Sequence, residues 1–444
     1  MRRTDTPLAT ALLAALGTSL SACDRGGPPP HAAEALAADA PAHAVAPACA
    51  PDNGGLKLPA GFCATIFADS VGTPRHIAVA PDGIVYVALH AAKRFGSEGA
   101  GSSEAGGVLA LRDRDGNGRS DEVDGFGAHG GTGIAVVPGF VYADEGDRIT
   151  RYPIAPGRLK PTGAGQVIVT GLPTGGHDAR NLVFDGRGGL LVNVGSSSNS
   201  CQQNDRGVGS PGEDPCAELQ TRAGVWRFEA NRPGQRFSAG ARWATGIRNA
   251  MGLTRNPVDG RIYTTQHGRD QLYQDWEQHY NAEQGAELPA EEFMQVNAGD
   301  DFGWPYCYYD QFQSKLVLAP EYGGDGKKVG VCANKKAPLA AYPGHWAPMA
   351  STFYTGTQFP ARYRGGAFIT FHGSWNRAPL PQQGFRVVFQ PMANGRPSGR
   401  YETFADGFRA GGHRPVGLAV APDGGLYVTD DNRGRIWKIV YTGR

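Results

Sequence analysis

The chain has almost no excess of charge. Its 444 residues carry 43 Lys and Arg against 42 Asp and Glu, a formal net charge of +1. Phosphate binding draws on clustered basic excess, so nucleic acid is excluded as a partner. Charged residues make up only 19%, below the roughly 25% of ordinary soluble domains. No apolar run reaches the roughly 20 residues that cross a bilayer. No Cys-x-x-Cys pair and no Cys/His cluster at zinc spacing occurs, which excludes structural zinc. The absence of Cys-x-x-Cys-His excludes covalently attached c-type haem. Hydrophobic residues at 40% exclude global disorder, and the missing Gly-X-Y period excludes collagen.

Glycine is abundant, at 65 residues, and proline numbers 32. Spread along the chain, they point to a turn-rich β protein. The first residues read as a targeting segment: Arg2 and Arg3, an apolar stretch from Leu8 to Leu20, then Leu20-Ser21-Ala22-Cys23. That pattern resembles a bacterial lipobox. It predicts a signal peptide over 1–22, lipidation of Cys23, and export to the periplasm on a membrane anchor. The Ala-, Pro- and Gly-rich stretch over 23–54 reads as a flexible tether, leaving 55–444 as the folded domain. Six further cysteines form three sequential close pairs: Cys49 with Cys63, Cys201 with Cys216, Cys307 with Cys332. Six cysteines allow fifteen connectivities. Nearest-neighbour disulfides are the expectation in an oxidising compartment.

One phrase recurs: an apolar run, a Pro-Asp-Gly-like turn, then an apolar strand. It occurs at Ile77 to Val87, Leu182 to Val192, Gly252 to Tyr263 and Gly417 to Val428, with degenerate copies at Gly133 to Tyr142 and Gly365 to Phe371. Asp-Gly between apolar runs signals a hairpin. Six such units predict an all-β fold, a six-bladed β-propeller. The apolar segment Arg435 to Val440 is a candidate to close the ring, and one helix is expected around Asp275 to Gln284.

Propeller ligands sit at the channel mouth, on loops flanking the inner strands. Those loops hold His129, His177-Asp178-Ala179-Arg180-Asn181, Arg248-Asn249, His267-Gly268-Arg269-Asp270, His372-Gly373-Ser374-Trp375-Asn376-Arg377 and His413-Arg414. Arginine forks suit carboxylates or phosphates, and histidine supplies a base near neutral pH. The order and spacing of Gly176 to Phe184, Gly246 to Asn249, Thr265 to Gly268, Asp300 to Pro305, His372 to Arg377 and His413 to Gly417 resemble the soluble quinoprotein sugar dehydrogenases. These are the pyrroloquinoline-quinone (PQQ) dependent glucose, sorbosone and pyranose enzymes.

The resemblance implies PQQ and Ca²⁺ as cofactors, a small sugar as substrate and an external electron acceptor, cytochrome or quinone. It makes His177 the base that takes the anomeric hydroxyl proton while hydride passes to the quinone. Arg248 and Asn249 would meet the quinone oxygens, and Arg414 a cofactor carboxylate. His129 and His267 would flank the cofactor, and His372 or Arg377 would stand in for a cofactor-binding lysine. Carbonyls near Gly268 and Arg269 would hold calcium, and Glu291, Glu292 and the Phe302 carbonyl a second, structural ion. The chain departs from the glucose enzymes at two places. Gly176 precedes His177 where they have Asp, and Val416 stands where they have a second Arg beside Arg414. The residues themselves suggest one more cation site: Asp113, Asp115 and Asn117, with Gly118, match the start of an EF-hand loop, although position twelve is Asp124 rather than Glu. Trp304, Trp346 and Trp375 are candidates to stack on sugar rings. Two other functions fit a propeller: a lactonase or other hydrolase with an axial metal, and a non-catalytic propeller that binds glycans or a partner protein.

Overall fold

In this computed structural model the repeated phrases at Ile77 to Val87, Leu182 to Val192, Gly252 to Tyr263 and Gly417 to Val428 each fold as an antiparallel strand pair around a turn. The turn at Pro81-Asp82-Gly83 shows why. Ala80 N donates to Ile84 O at 2.8 Å and Gly83 N to Ala80 O at 2.9 Å, with Gly83 at φ +84°. A side chain resists that conformation and glycine does not. The turn at Ala421 to Gly425 repeats both bonds.

The structure describes residues 49–90 and 107–443. The signal peptide, Cys23 and most of the tether therefore lie outside the described residues. Six four-stranded antiparallel units are present. Their first strands are Pro74–Val79, Ile134–Val137, Leu182–Phe184, Thr254–Arg255, Pro348–Phe353 and Pro415–Val420. They contact one another in sequence, and the sixth returns to the first. These strands form the inner ring, and the units are blades 1 to 6. The second blade carries a fifth strand, Gln235–Arg236, added in parallel beside Gln166–Thr170.

Packing follows from the ring. One apolar cluster lies between each pair of neighbouring blades, six in all. Second strands are covered on both faces and are mostly apolar: Ala367–Phe371 and Leu426–Asp430 are buried throughout. Outer strands alternate, as in Glu122–Phe126.

The ring closes through Phe62–Ala68, which pairs with Arg435–Tyr441 from Phe62 opposite Tyr441 onward. The N-terminal strand thus completes the last blade. Residues 49–54 belong to that closure rather than to the tether. Cys49 is disulfide-bonded to Cys63, and Trp437 Nε1 donates to Gly54 O at 3.1 Å. The other two disulfides join Cys201 to Cys216 and Cys307 to Cys332, as their spacing suggested, each within a long insertion.

Two sequence expectations change. The expected helix around Asp275 to Gln284 is two short ones, Leu272–Asp275 and Ala282–Glu287. Asn281 starts the second: its side chain accepts from Gln284 N, and the Gln284 side chain accepts from Asn281 N. In blade 5 the degenerate copy Gly365 to Phe371 covers only the second strand, because the connection from Pro348–Phe353 is long and carries a 3₁₀ turn at Ala361–Tyr363.

Candidate functional site at the channel mouth

Antiparallel pairing places the start of each first strand beside the end of its second: Pro74 faces Leu89, Pro348 faces Phe371, and Pro415 faces Asp430. The loops before the first strands and after the second strands therefore share one end of the channel. Beneath them Met251, Met349 and Val416 form an apolar floor with Ala179 against it.

His177 is half-buried on the loop entering blade 3. Its Nδ1 lies 3.0 Å from both the carbonyl O and the Oγ of Ser196. A carbonyl only accepts, so Nδ1 carries the proton and Nε2 presents a lone pair. Burial, reinforced by the Arg248 charge, pushes the imidazole down to about 3, so it is neutral at physiological pH. The orienting partner is thus Ser196, whereas Asp178 accepts from Gly175 N at 3.0 Å.

Arg248 is buried, and all of its side-chain nitrogens are engaged. Nε donates to Asn199 O at 3.0 Å, Nη1 to Gly268 O at 2.9 Å, and Nη2 to Asn199 Oδ1 at 3.0 Å and to Asp270 at 3.2 Å. Asp270 also receives Arg206 at 2.9 Å and Asn376 at 2.8 Å. Arg248 and Arg206 hold its carboxyl well below the usual range against the opposing effect of burial. Asn249 Oδ1 is buried and has no partner among the described residues. His267 Nε2 contacts Pro348 O at 2.9 Å, and burial pushes that ring down to about 3.

The far side is built by blades 5, 6 and 1. His372 Nε2 lies 2.8 Å from Asp431 Oδ1, and Arg414 Nε donates to His372 O at 3.1 Å. Asp431 also pairs with Arg75, and burial notwithstanding, His372 and Arg75 depress its carboxyl. Direct contacts thus run from Ser196 through Arg248 to blade 4, and from His372 to Arg414 and Arg75. His129 is exposed on the loop entering blade 2.

Several expected residues do not join this set. The Arg377 side chain is 1% exposed and donates to Ala286 O, Gly344 O, Pro381 O and Glu287. Four of its five N–H groups are used inside the protein, so it braces its loop rather than facing a ligand. Arg269 turns into the insertion and pairs with Asp275 and Glu321; only its backbone remains a candidate ligand. Glu291 and Glu292 do not form one metal set, because consecutive strand residues face opposite sides. Glu291 accepts from Gly268 N and Ala347 N, both at 3.0 Å. Glu292 instead lines a cavity of about 20 Å³ with Gly268, Trp304 and Tyr308, its Oε2 unpartnered. The Phe302 ring packs with Ile247 in the core between blades 3 and 4, whereas the expected ligand is its backbone carbonyl. In the EF-hand-like loop the acids that converge are Asp113, Asp115 and Asp121, whose oxygens lie within 4.8 Å of one another. Asn117 is spent within the turn, donating to Asp115 and accepting from Arg119 N, and Asp124 pairs with Lys160. Trp304 and Trp346 are buried, whereas Trp375 is 67% exposed.

Arg75, Ser196 and Asp431 were missed, and Asp270 was placed on the mouth loops without a role. Arg75-His76 precedes the Ile77 repeat much as His413-Arg414 precedes the Gly417 repeat, and that parallel was the available signal. Ser196 and Asp431 follow second strands and carry no motif of their own.

A family model described as TrAA12-like matches residues 56–442. The chain belongs to the TrAA12-like family. A PQQ-dependent pyranose dehydrogenase of Coprinopsis cinerea is 29% identical over 237 residues, 44% of this chain and 30% of that protein. A PQQ-dependent sugar dehydrogenase of Hypocrea jecorina is 25% identical over 293 residues, 61% of this chain and 64% of its own length. The chain thus spans between 30% and 64% of the curated relatives it matches. The propeller agrees with the holo form of the Coprinopsis cinerea pyranose dehydrogenase PQQ domain at a TM-score of 0.70, 20% identity, and coverage of 90% of this TrAA12-like chain and 98% of the other. The calcium structure of Trichoderma reesei family AA12 gives 0.69 at 18% identity, covering 87% and 97%.

Proposed function

We propose that this TrAA12-like protein is a PQQ- and calcium-dependent dehydrogenase that oxidises an aldose, pyranose or sorbosone-like sugar and passes the electrons to an external acceptor. The observation that carries the reading is a neutral imidazole, His177, held in one tautomer by Ser196 with the Arg248 guanidinium nearby. The site's own chemistry fits an anionic quinone. Arg414 and Arg75 face the mouth as cations, and the orphaned Asn249 Oδ1 suits a ligand N–H. When bound, PQQ supplies the ortho-quinone that takes up the hydride. Calcium on the Gly268 and Arg269 carbonyls would polarise it as a Lewis acid.

The protein's part is positioning and proton transfer. His177 Nε2 accepts the proton of the sugar hydroxyl, and Ser196 O accepts Nδ1–H and so stabilises the imidazolium that forms. Arg248 keeps its place because Asn199 and Asp270 satisfy its donors, which keeps a positive charge beside the reacting centre at no reorganisation cost. Trp375 stands clear of the surface next to Asn376 and offers an aromatic face to a sugar ring. A lactonase with an axial metal is disfavoured, since Asp270 and Asp431 are both neutralised by arginine. The N-terminal pattern supports export and periplasmic anchoring through Cys23.

The test adds PQQ and Ca²⁺ to purified metal-free protein and records absorbance before and after a panel of aldoses. A stoichiometric bound-quinone spectrum that a sugar reduces is expected. No PQQ binding at tens of micromolar overturns the reading.

A further inference from the structure

We propose that Arg75 supplies the cation that Val416 does not, receiving a carboxylate of the bound quinone at the lip shared by blades 6 and 1. The inference rests on the PQQ reading of the site. Val416 is fully buried in the channel floor with Met251 and Met349, so no charge can be presented there. The neighbouring chain brings a replacement. A Cβ on Gly417 would lie 2.5 Å from Arg75 O, so only glycine lets the two inner strands approach this closely. Arg75 thereby stands next to Arg414.

Apart from Arg414 at the same lip, the other arginines of the site are engaged elsewhere. Arg248 gives its donors to Asn199, Gly268 and Asp270, while Arg269 and Arg377 point into the protein. Among the described residues Arg75 makes one side-chain ion pair, with Asp431, and its Nε has no partner. Its side chain keeps 13% of its surface exposed. An arginine fork with one partner has donors to give a carboxylate. Asp431 is shared with His372, and Asp430 is turned away to His413 at 2.7 Å and to the backbone N–H groups of Arg414 and Arg433. An anion reaching this lip therefore meets two guanidinium groups and one carboxylate already in use.

The test titrates PQQ, with Ca²⁺ present, into wild-type protein, Arg75→Gln and Arg75→Lys, following cofactor absorbance at low and high salt. Wild type should bind. Arg75→Gln should weaken binding at least tenfold and flatten its salt dependence, because a screened charge pair is gone. Arg75→Lys keeps the charge but loses the fork, and should weaken binding threefold or more. Thermal midpoints of the cofactor-free variants check the fold; if Arg75→Gln does not fold, Arg75→Lys decides. Wild-type affinity and salt dependence in the folded variants overturn the role of Arg75 alone. Failure of the wild type to bind PQQ overturns the site reading, and this inference with it.

Discussion

The buried imidazoles of the channel make the cofactor-free protein sensitive to acid. His76 contacts Met349 O at 2.9 Å, His177 contacts Ser196 and His267 contacts Pro348 O. Burial pushes them down to about 4, about 3 and about 3. His345 and His372 shift in the same direction. In the unfolded chain each titrates near 6.5. The sign follows: as pH falls through about 6.5 the unfolded chain takes up protons that the native state refuses, so stability falls. Each such group costs about 2 kcal/mol between pH 7.5 and 5.0, and three cost about 6 kcal/mol as an upper bound. Denaturant midpoints across this range, at constant m-value, measure the loss. Replacing His76 with Asn should reduce the loss between pH 7.5 and 5.0 by one group's share, about 2 kcal/mol. A stability flat between pH 7.5 and 5.0, or imidazole NMR shifts showing His177 protonated at pH 5.0, would refute the reasoning. The same neutrality keeps His177 competent as a base, so the acidic limb of kcat/KM is expected below pH 5.

His177→Gln should lower kcat by about 10²–10⁴-fold with PQQ affinity within about threefold of wild type. Ser196→Ala, which leaves the carbonyl in place, should cost no more than about tenfold; a His177→Gln enzyme within tenfold of wild type excludes His177 as the base. Arg377→Gln removes buried bonds to Ala286 O, Gly344 O and Glu287, so the melting midpoint should drop by an amount matching roughly 3 kcal/mol or more. Its folded fraction should bind PQQ with wild-type affinity, and a selective loss of PQQ binding without loss of stability would restore Arg377 to the cofactor set.

Much of this protein could be read from its residues. Blade number followed from the recurring Asp-Gly turns, because a tight turn is a local event that needs glycine at a left-handed position. The disulfide pairs followed from short separations. The loops at the mouth followed from their place beside the repeats, and they carry His177, the proposed base. Tertiary structure decided the rest, because each remaining point depends on residues far apart in the chain. Phe62–Ala68 became the outer strand of the last blade by pairing across almost the whole chain. Ser196, not a neighbouring acid, set the tautomer of His177. Arg269 and Arg377, alike in sequence to the arginines that face the mouth, were drawn inward by Glu321, Asp275 and Glu287. Adjacent glutamates at 291 and 292 were split to opposite faces by the pleat of a strand. Arg75 came to the lip because Gly417 lets blade 1 close against blade 6. Which cation faces a ligand is settled by which acid can reach it, and that is a property of the closed ring.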